Sequence, residues 1–470
     1  MKILLINPSN ENIVHWYPKS PWLNINKFGA FPPLGLLYIL SYLKSRSPKH
    51  ELFFIDCVAE NISYQTLKEK IKAINPDLTA VTSFTFTLPD VFKTVNLVKE
   101  AAPDSHINLG GHHAVFFPVE AANIPNVDSI IVGEGEIAFY KLAQALAENK
   151  PIENIEGVYT KRTAQKNVPV NYIEDVNTLP FPAREFVAHL KFYNIVGQSD
   201  KLTTIITSRG CPFACVYCAT PYKKYRPREI ENILDEIELC LKQGYEEFHF
   251  YDDTFNITPQ RIIEFSRGVL KRNLKFKWDF RGRINGITAK ALETAKAAGL
   301  TMISFGVETG TDEGLKYINK GISVKQIEEV FKLCRKHKIK TVANFMIGFP
   351  FEKTEDDINK NINFCTSLNP AYGMFSVLIL YPGTPVYNMA VEKKLINPQR
   401  WHDFVTNPSP DFYLDYWEEF FTRKQLLDFQ KKAFRNFYLR PAYIWRQIKS
   451  LTSFEEFKRK VKGFFTLITK

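Results

Sequence analysis

The sequence predicts an α/β protein in three parts. These are a doubly wound, Rossmann-like domain over residues 1–150, a partial (β/α)6 barrel of the TIM type over 201–395, and an α-helical extension over 396–470. Residues 151–200 read as a hairpin and linker between the first two. Three observations predict this. Short apolar runs alternate with helical patterns in both halves, the signature of parallel sheets covered by helices. The second block repeats the strand–helix unit often enough to curl its sheet toward a barrel. Past residue 396 the rhythm stops, and aromatic residues recur at helical spacing among lysines and arginines.

In the first block the strand candidates are Lys2–Asn7, Glu51–Asp56, Leu78–Ser83, Ile107–Gly110 and Ser129–Val132. Helical patterns cover Leu34–Lys44, Ser63–Ile74, Pro89–Ala101 and Ile137–Glu148. The strands end in Asn7-Pro8, Asp56, Ser83, Gly110-Gly111 and Gly133, so small and polar residues collect at the carboxyl edge, where doubly wound sheets hold ligands. No G-x-G-x-x-G follows the first strand, which argues against an ordinary dinucleotide site. In the linker, Val158–Lys161 and Val168–Asn171 are expected to pair as a small hairpin.

The second block offers Thr203–Ser208, Glu247–Asp252, Lys275–Arg281, Thr301–Glu308, Thr341–Phe349 and Met374–Tyr381 as strands, with helices such as Arg228–Lys242 and Val324–Lys336 between them. Directly after the first of these strands comes Ser208-Arg209-Gly210-Cys211-Pro212-Phe213-Ala214-Cys215-Val216-Tyr217-Cys218. Three thiols at C-x3-C-x2-C suit zinc or an iron–sulfur cluster. Zinc usually takes a fourth ligand from a second nearby pair, whereas Cys57, Cys240, Cys334 and Cys365 are scattered singly. Three cysteines would hold a [4Fe-4S] cluster with its fourth iron open to a small ligand.

This loop resembles the cluster loop of the radical S-adenosylmethionine (SAM) enzymes, C-x3-C-x-aromatic-C, with Tyr217 as the aromatic residue. The resemblance implies that Cys211, Cys215 and Cys218 bind the [4Fe-4S] cluster. It extends around the barrel rim. Asp252 and Asp253 match the position that meets the SAM amino group, and Arg283 matches the family's arginine. Glu308, in Gly306-Val307-Glu308-Thr309-Gly310, faces the sugar or amino-acid part of SAM, and Ile347 and Gly348 flank the adenine. Upstream, Ser83, then Gly110-Gly111-His112, then Gly133-Glu134-Gly135 resemble the cobalamin-binding domain fused to one branch of these enzymes. The better-known cobalamin motif D-x-H-x-x-G is altered here, as the resemblance to that branch commonly implies: Asp56-Cys57-Val58-Ala59-Glu60-Asn61 carries no histidine at position 58 to ligate cobalt.

The resemblance implies an enzyme of the class B radical SAM methyltransferase kind. Reductive cleavage of SAM gives a 5′-deoxyadenosyl radical, hydrogen is abstracted from an unactivated carbon, and a methyl group follows from methylcobalamin. Three other readings stay open. One is oxidative cyclisation or rearrangement with the same cofactors. Another is an N-terminal domain that binds substrate rather than cobalamin. The last is a zinc-stabilised, non-enzymatic binding protein.

The net charge of +11 is concentrated in the tail, where residues 421–470 hold 13 Lys and Arg against 3 Asp and Glu. Basic helices with aromatic faces suit either a cap over the open side of the barrel or a peripheral membrane contact, the latter pointing to a lipid-like substrate. No recognition motif for nucleic acid accompanies the charge, so no nucleic-acid partner is expected. The expected partners are a small-molecule substrate and an electron donor such as flavodoxin or ferredoxin. Met1-Lys2 runs straight into an apolar strand, no window approaches a membrane span, and seven cysteines suggest a reducing compartment. The protein is therefore expected to be cytoplasmic, at most peripheral at a membrane.

Overall fold

The computed structural model describes residues 1–14, 29–194, 199–409 and 411–449. The chain divides into two compact units.

The first unit holds strands β1 (Lys2–Asn7), β2 (Glu51–Asp56), β3 (Leu78–Thr82), β4 (His106–Gly110), β5 (Ser129–Ile131) and β6 (Val158–Tyr159). Their order in the sheet is β2-β1-β3-β4-β5-β6, parallel except for β6. This is the flavodoxin-like order, in which the chain reverses direction between β1 and β3 and leaves a crevice at their carboxyl ends. Helices α1 (Leu34–Arg46), α2 (Tyr64–Ile74), α3 (Leu88–Ala101), α4 (His112–Phe116), α5 (Pro118–Ala122) and α6 (Gly135–Ala147) cover it. Buried on both faces, β1 reads as a continuous apolar run, with Ile3, Leu4, Leu5 and Ile6 fully buried. The expected hairpin does not form. Val158–Tyr159 pairs with Ile130–Ile131 instead, and Asn171 bridges to Gly133. Two short strands on their own bury too little, and the open edge of β5 supplies a better template.

The second unit holds β7 (Leu202–Ile205), β8 (Glu247–Phe250), β9 (Lys277–Gly282), β10 (Leu300–Glu308), β11 (Lys340–Ile347) and β12 (Tyr372–Val377). They lie side by side in chain order, all parallel, as expected for a partial barrel. Helices α7 (Ile230–Lys242), α8 (Pro259–Lys271), α9 (Ala289–Ala297), α10 (Asp312–Tyr317), α11 (Val324–Lys336), α12 (Glu355–Leu368) and α13 (Pro385–Glu392) complete the alternation. Their side of the sheet is aromatic: Phe248, Phe250, Trp278, Phe280 and Phe305 are all fully buried. Phe250 and Trp278 meet Phe265 of α8 with centroids 5.2 and 4.9 Å away.

The tail divides. Helix α14 (Gln399–Thr406) clusters with the first unit, where His402 lies 3.1 Å from Glu120 of α5. Helices α15 (Arg423–Tyr438) and α16 (Pro441–Lys449) cover the open edge of the barrel at β12. An edge strand carries unpaired carbonyls that need donors. Gln430 Nε2 donates to Phe375 O at 2.7 Å, Tyr438 Oη to Gly373 O at 3.0 Å and Tyr443 Oη to Ala371 O at 3.1 Å. Phe434 and Phe437 pack on Phe375. These helices are a cap. Trp445 and Ile448 of α16 are nevertheless 59% and 53% exposed, and Phe454, Phe457, Phe464 and Phe465 lie outside the described residues.

Candidate active site

The cysteine loop is clasped at both ends. Ser208–Arg209 pairs antiparallel with Arg226–Pro227, and Cys211 N donates to Tyr222 O at 2.9 Å. Gly210 sits at φ +82°, where a Cβ would overlap the Lys224 carbonyl. Asn319 Nδ2 holds Ala214 O at 3.0 Å. All seven cysteines are free thiols. Burial, with repulsion from Asp253 and from neighbouring thiolates, pushes the Cys211 and Cys218 thiols up.

The cysteine sulfurs are not gathered around one point. A tetrahedral ion with bonds of about 2.3 Å draws its sulfurs to within about 4 Å of one another. Among the described residues, the only set of three ligand atoms lying within 4.8 Å of one another is Glu247, His249 and Asp279. The three cysteine sulfurs are thus spread too widely for one ion. A cluster binds each cysteine through a different iron, so its sulfurs need not gather around one point.

Next to the loop is a buried charged triad. Lys320 Nζ donates to Glu308 Oε1 at 2.9 Å and lies 3.0 Å from the Tyr217 hydroxyl, and both charged side chains are under 10% exposed. Burial, then the Glu308 charge, holds the Tyr217 phenol well above its usual range. The sequence allows the triad through a bulge. The register of β10 against β11 shifts between Gly306 and Glu308, and Glu308 adopts φ +70°. A left-handed non-glycine residue at a bulge re-aims its side chain and marks stored strain. A Cβ at Gly306 would overlap the Glu308 carboxylate, which explains that glycine. The role of Lys320 was not read from the sequence; its only signal was the Lys320-Gly321 pair following the G-x-E-x-G run.

Arg283 is 8% exposed and braced. Its guanidinium lies 3.7 Å from the Phe213 ring centroid and 3.8 Å from Cys215 Sγ, and it donates to Lys320 O. Asn256 holds its backbone through two hydrogen bonds of 2.8 Å. The two aspartates differ. Asp252 is buried and accepts from Thr207 N at 2.6 Å, from the Thr207 hydroxyl and from Ser208 Oγ at 2.9 Å, so it ties down the entrance to the cysteine loop. Asp253 is exposed and is the one whose charge reaches Cys211 and Cys218. Ile347 is fully buried, and Gly348 follows at φ +91°. Glu352 accepts from Gly348 N at 2.7 Å and Phe349 N at 2.9 Å, with burial lifting its carboxyl to about 8. Asn361 donates to Glu352 and accepts from Gly310 N at 2.5 Å, joining the ends of β10 and β11.

In the first unit, Ser83, Gly110, Gly111 and His112 gather at the carboxyl ends of β3 and β4. Ser83 Oγ donates to Gly110 O at 2.8 Å. Gly111, at φ +102°, would place a Cβ 2.6 Å from Ser83 O, so only glycine keeps this edge low. Gly133 has φ +111° and lies against Asn171, while Glu134 accepts from Ile173 N at 2.6 Å and thereby anchors the linker. Gly135 begins α6 against Ile39. His112 stacks on the exposed Phe84, centroids 5.4 Å apart. Its neighbour His113 is the buried one, 3.2 Å from the Thr85 hydroxyl and pushed down to about 3 by desolvation. At the altered motif, Asp56 accepts from Val58 N at 3.1 Å and Ala59 N at 3.0 Å, and Asn61 turns the chain at φ +50° where the motif has glycine. The turn survives; the histidine does not.

The radical SAM superfamily profile matches residues 205–365, and that of the B12-binding domain matches residues 23–143. The chain belongs to the cobalamin-binding radical SAM enzymes. It is 28% identical to an uncharacterized methyltransferase of Pyrococcus horikoshii, over 98% of both chains. It is 25% identical to the anaerobic magnesium-protoporphyrin IX monomethyl ester cyclase of Rubrivivax gelatinosus, over 88% of this chain and 75% of that one. Among solved structures it shares the fold of the cobalamin-dependent radical SAM enzyme OxsB, with a TM-score of 0.74 at 18% identity, covering 99% of this chain and 72% of that one. The cofactors of this radical SAM enzyme are a [4Fe-4S] cluster, SAM and cobalamin. The residues present fit them: three thiols outside any disulfide for the cluster, and for the corrin a strand edge kept low by Gly111 and Gly133, where a Cβ would strike the backbone of Ser83 and Asn171.

Proposed function

We propose that this enzyme methylates an unactivated carbon of a small-molecule substrate. The observation that carries the reading is one chain holding both the spread cysteine loop beside the Glu308–Lys320–Tyr217 triad and a flavodoxin-like sheet whose glycine edge suits a corrin. When bound, the cluster and SAM supply a hydrogen-abstracting radical, and cobalamin supplies the methyl group.

The chain positions and shields these groups. Cys211, Cys215 and Cys218 hold the cluster, and Arg283 braces Cys215 against the Lys320 turn. Asp253, Glu308, Ile347 and Gly348 receive SAM, with Tyr217 and Lys320 fixing the Glu308 carboxylate. Asp252 acts one step back, by setting the path of the loop. Ser83, Gly110, Gly111, His112, Gly133 and Gly135 form the corrin edge, with Glu134 anchoring it from below. An acidic flavodoxin or ferredoxin is the electron donor that suits a chain of charge +11. Exposed Trp445 and Ile448 beside Lys449 support peripheral contact of the tail with an anionic membrane. No helix among the described residues is long and apolar enough to cross one.

The test is product stoichiometry. Reconstituted enzyme, supplied with SAM, reductant and a small-molecule extract, should release 5′-deoxyadenosine and S-adenosylhomocysteine in equal amounts. Similarity to the cyclase supports oxidative cyclisation as the second reading, and that reaction would give 5′-deoxyadenosine alone.

A further inference from the structure

Parallel strands place paired residues on the same face, so the wall of the barrel turned away from the helices can be read from the register. Phe248, Phe250, Trp278 and Phe280 face the helices, which leaves His249, Tyr251, Asp279 and Arg281 on the concave side. Arg281 pairs with Ser304 of β10, and Met302 lies on the same face opposite Asp279. On β11 and β12, Met346 is paired with Ser376 and Asn344 with Met374, opposite the helix-facing Phe345 and Phe375. The wall therefore has two halves. One is charged. The other carries Met302, Met346 and Met374, three of the chain's five methionines, and thioethers make adaptable apolar linings.

Within the charged half, Arg281 stands out. It is exposed, yet it forms no ion pair among the described residues. Its guanidinium lies over the Tyr251 ring, 4.1 Å from the centroid. The nearest carboxylate on its own strand face, Asp279, is already engaged by His249 Nδ1 at 2.6 Å. An arginine on an aromatic ring can hydrogen-bond the phenol, as Arg281 does with Tyr251, and still turn the rest of its planar fork of donors to a carboxylate or phosphate. It stands two residues before Arg283, which contacts Cys215, and so at the cluster end of the barrel.

Building on the methyltransferase reading, we propose that the substrate is an amphipathic oxyanion, its carboxylate or phosphate held by Arg281 on Tyr251 and its apolar part lying against Met346 and Met374. Arg281 is the specificity-determining residue, and the methionines accept variation in the apolar part.

The test is calorimetric titration of the reconstituted, unreduced enzyme with octanoate, octyl phosphate and 1-octanol, which needs no turnover. At least one anion should bind about tenfold or more tighter than the alcohol, the effect of one charge-assisted contact. Which anion binds identifies carboxylate or phosphate. Arg281→Gln should abolish the preference and leave the alcohol unchanged, and Arg281→Lys should restore part of it. Equal binding of all three probes, no binding of any, or an unchanged preference in Arg281→Gln would overturn the proposal. So would a loss of SAM binding in Arg281→Gln, read from the SAM-induced change in the electron paramagnetic resonance of the reduced cluster, because Arg281 would then serve SAM. A separate assay of the wild type with SAM, reductant and a small-molecule extract, reading S-adenosylhomocysteine against 5′-deoxyadenosine, shows whether the methyltransferase reading stands independently.

Discussion

Removing the Lys320 charge should be among the most damaging single changes in the barrel. Lys320 and Glu308 side chains are 7% and 9% exposed, and the ammonium also touches Tyr217. Lys320→Met keeps the bulk and strands the Glu308 carboxylate among buried neighbours. Breaking one side of a buried ion pair costs about 3–5 kcal/mol, a large part of a total stability of about 5–15 kcal/mol. Urea unfolding of the anaerobically prepared apoprotein measures it, with far-ultraviolet dichroism as the probe. The companion is Lys320→Met with Glu308→Gln, in which no charge is left unpaired. That double variant should recover more than about 1 kcal/mol of the loss, since contacting residues couple strongly. It should still bind SAM poorly, because the carboxylate is gone. A loss below about 1 kcal/mol in the single variant, or strict additivity in the double, would refute the claim that this pair is a desolvated unit.

Other consequences follow from the same geometry. The Glu352 carboxyl lies at about 8 in the folded state against 4.5 ordinarily, so it stabilises below about pH 4.5 and that contribution is lost as pH rises toward 8. Glu352→Gln should therefore flatten the fall in unfolding free energy between pH 5 and 8 by up to about 1.4 kcal/mol per pH unit, read from urea unfolding across that range. Gly111→Ala puts a Cβ 2.6 Å from Ser83 O at φ +102°, costing about 1 kcal/mol or more, and should lower bound cobalt while leaving iron unchanged. Because the Cys211 and Cys218 thiols are raised by burial, cluster assembly must release protons, so iron incorporation should be faster at pH 8.5 than at pH 7. Trp445→Ser should weaken sedimentation with phosphatidylglycerol vesicles and have no effect with phosphatidylcholine alone, given the exposure of that ring beside Lys449.

Much of this was legible in the sequence where a local signal and the tertiary structure agreed. The strands Lys2–Asn7 and Glu51–Asp56 and the helix Val324–Lys336 begin and end where their periodicity and caps put them. The cysteine spacing alone suited zinc or a cluster, and the likeness of the whole loop to the radical SAM signature pointed to the cluster. Ends of strands were less legible. The run Thr203–Ser208 stops as a strand at Ile205 because Thr207 and Ser208 turn to bond Asp252, a partner more than forty residues on. The same distance problem hid Lys320, which meets Glu308 only because a bulge turns the glutamate toward it. Of two adjacent histidines, composition cannot say which is buried, and it is His113 that packs while His112 stacks at the surface edge. The tail's aromatic stripe suited both core and membrane; the bare carbonyls of β12 account for its capping role.

One chain carries both a radical SAM domain and a B12-binding domain. Anaerobic reconstitution with iron, sulfide and hydroxocobalamin, then desalting and metal analysis with an absorption spectrum, tests it most directly. About four irons per chain are expected, with equimolar cobalt and both absorbances retained. Changing Cys211, Cys215 or Cys218 to Ala should remove the iron, and Gly111→Ala the cobalt. Iron without cobalt would contradict the corrin edge, and colourless protein carrying zinc would contradict the whole reading.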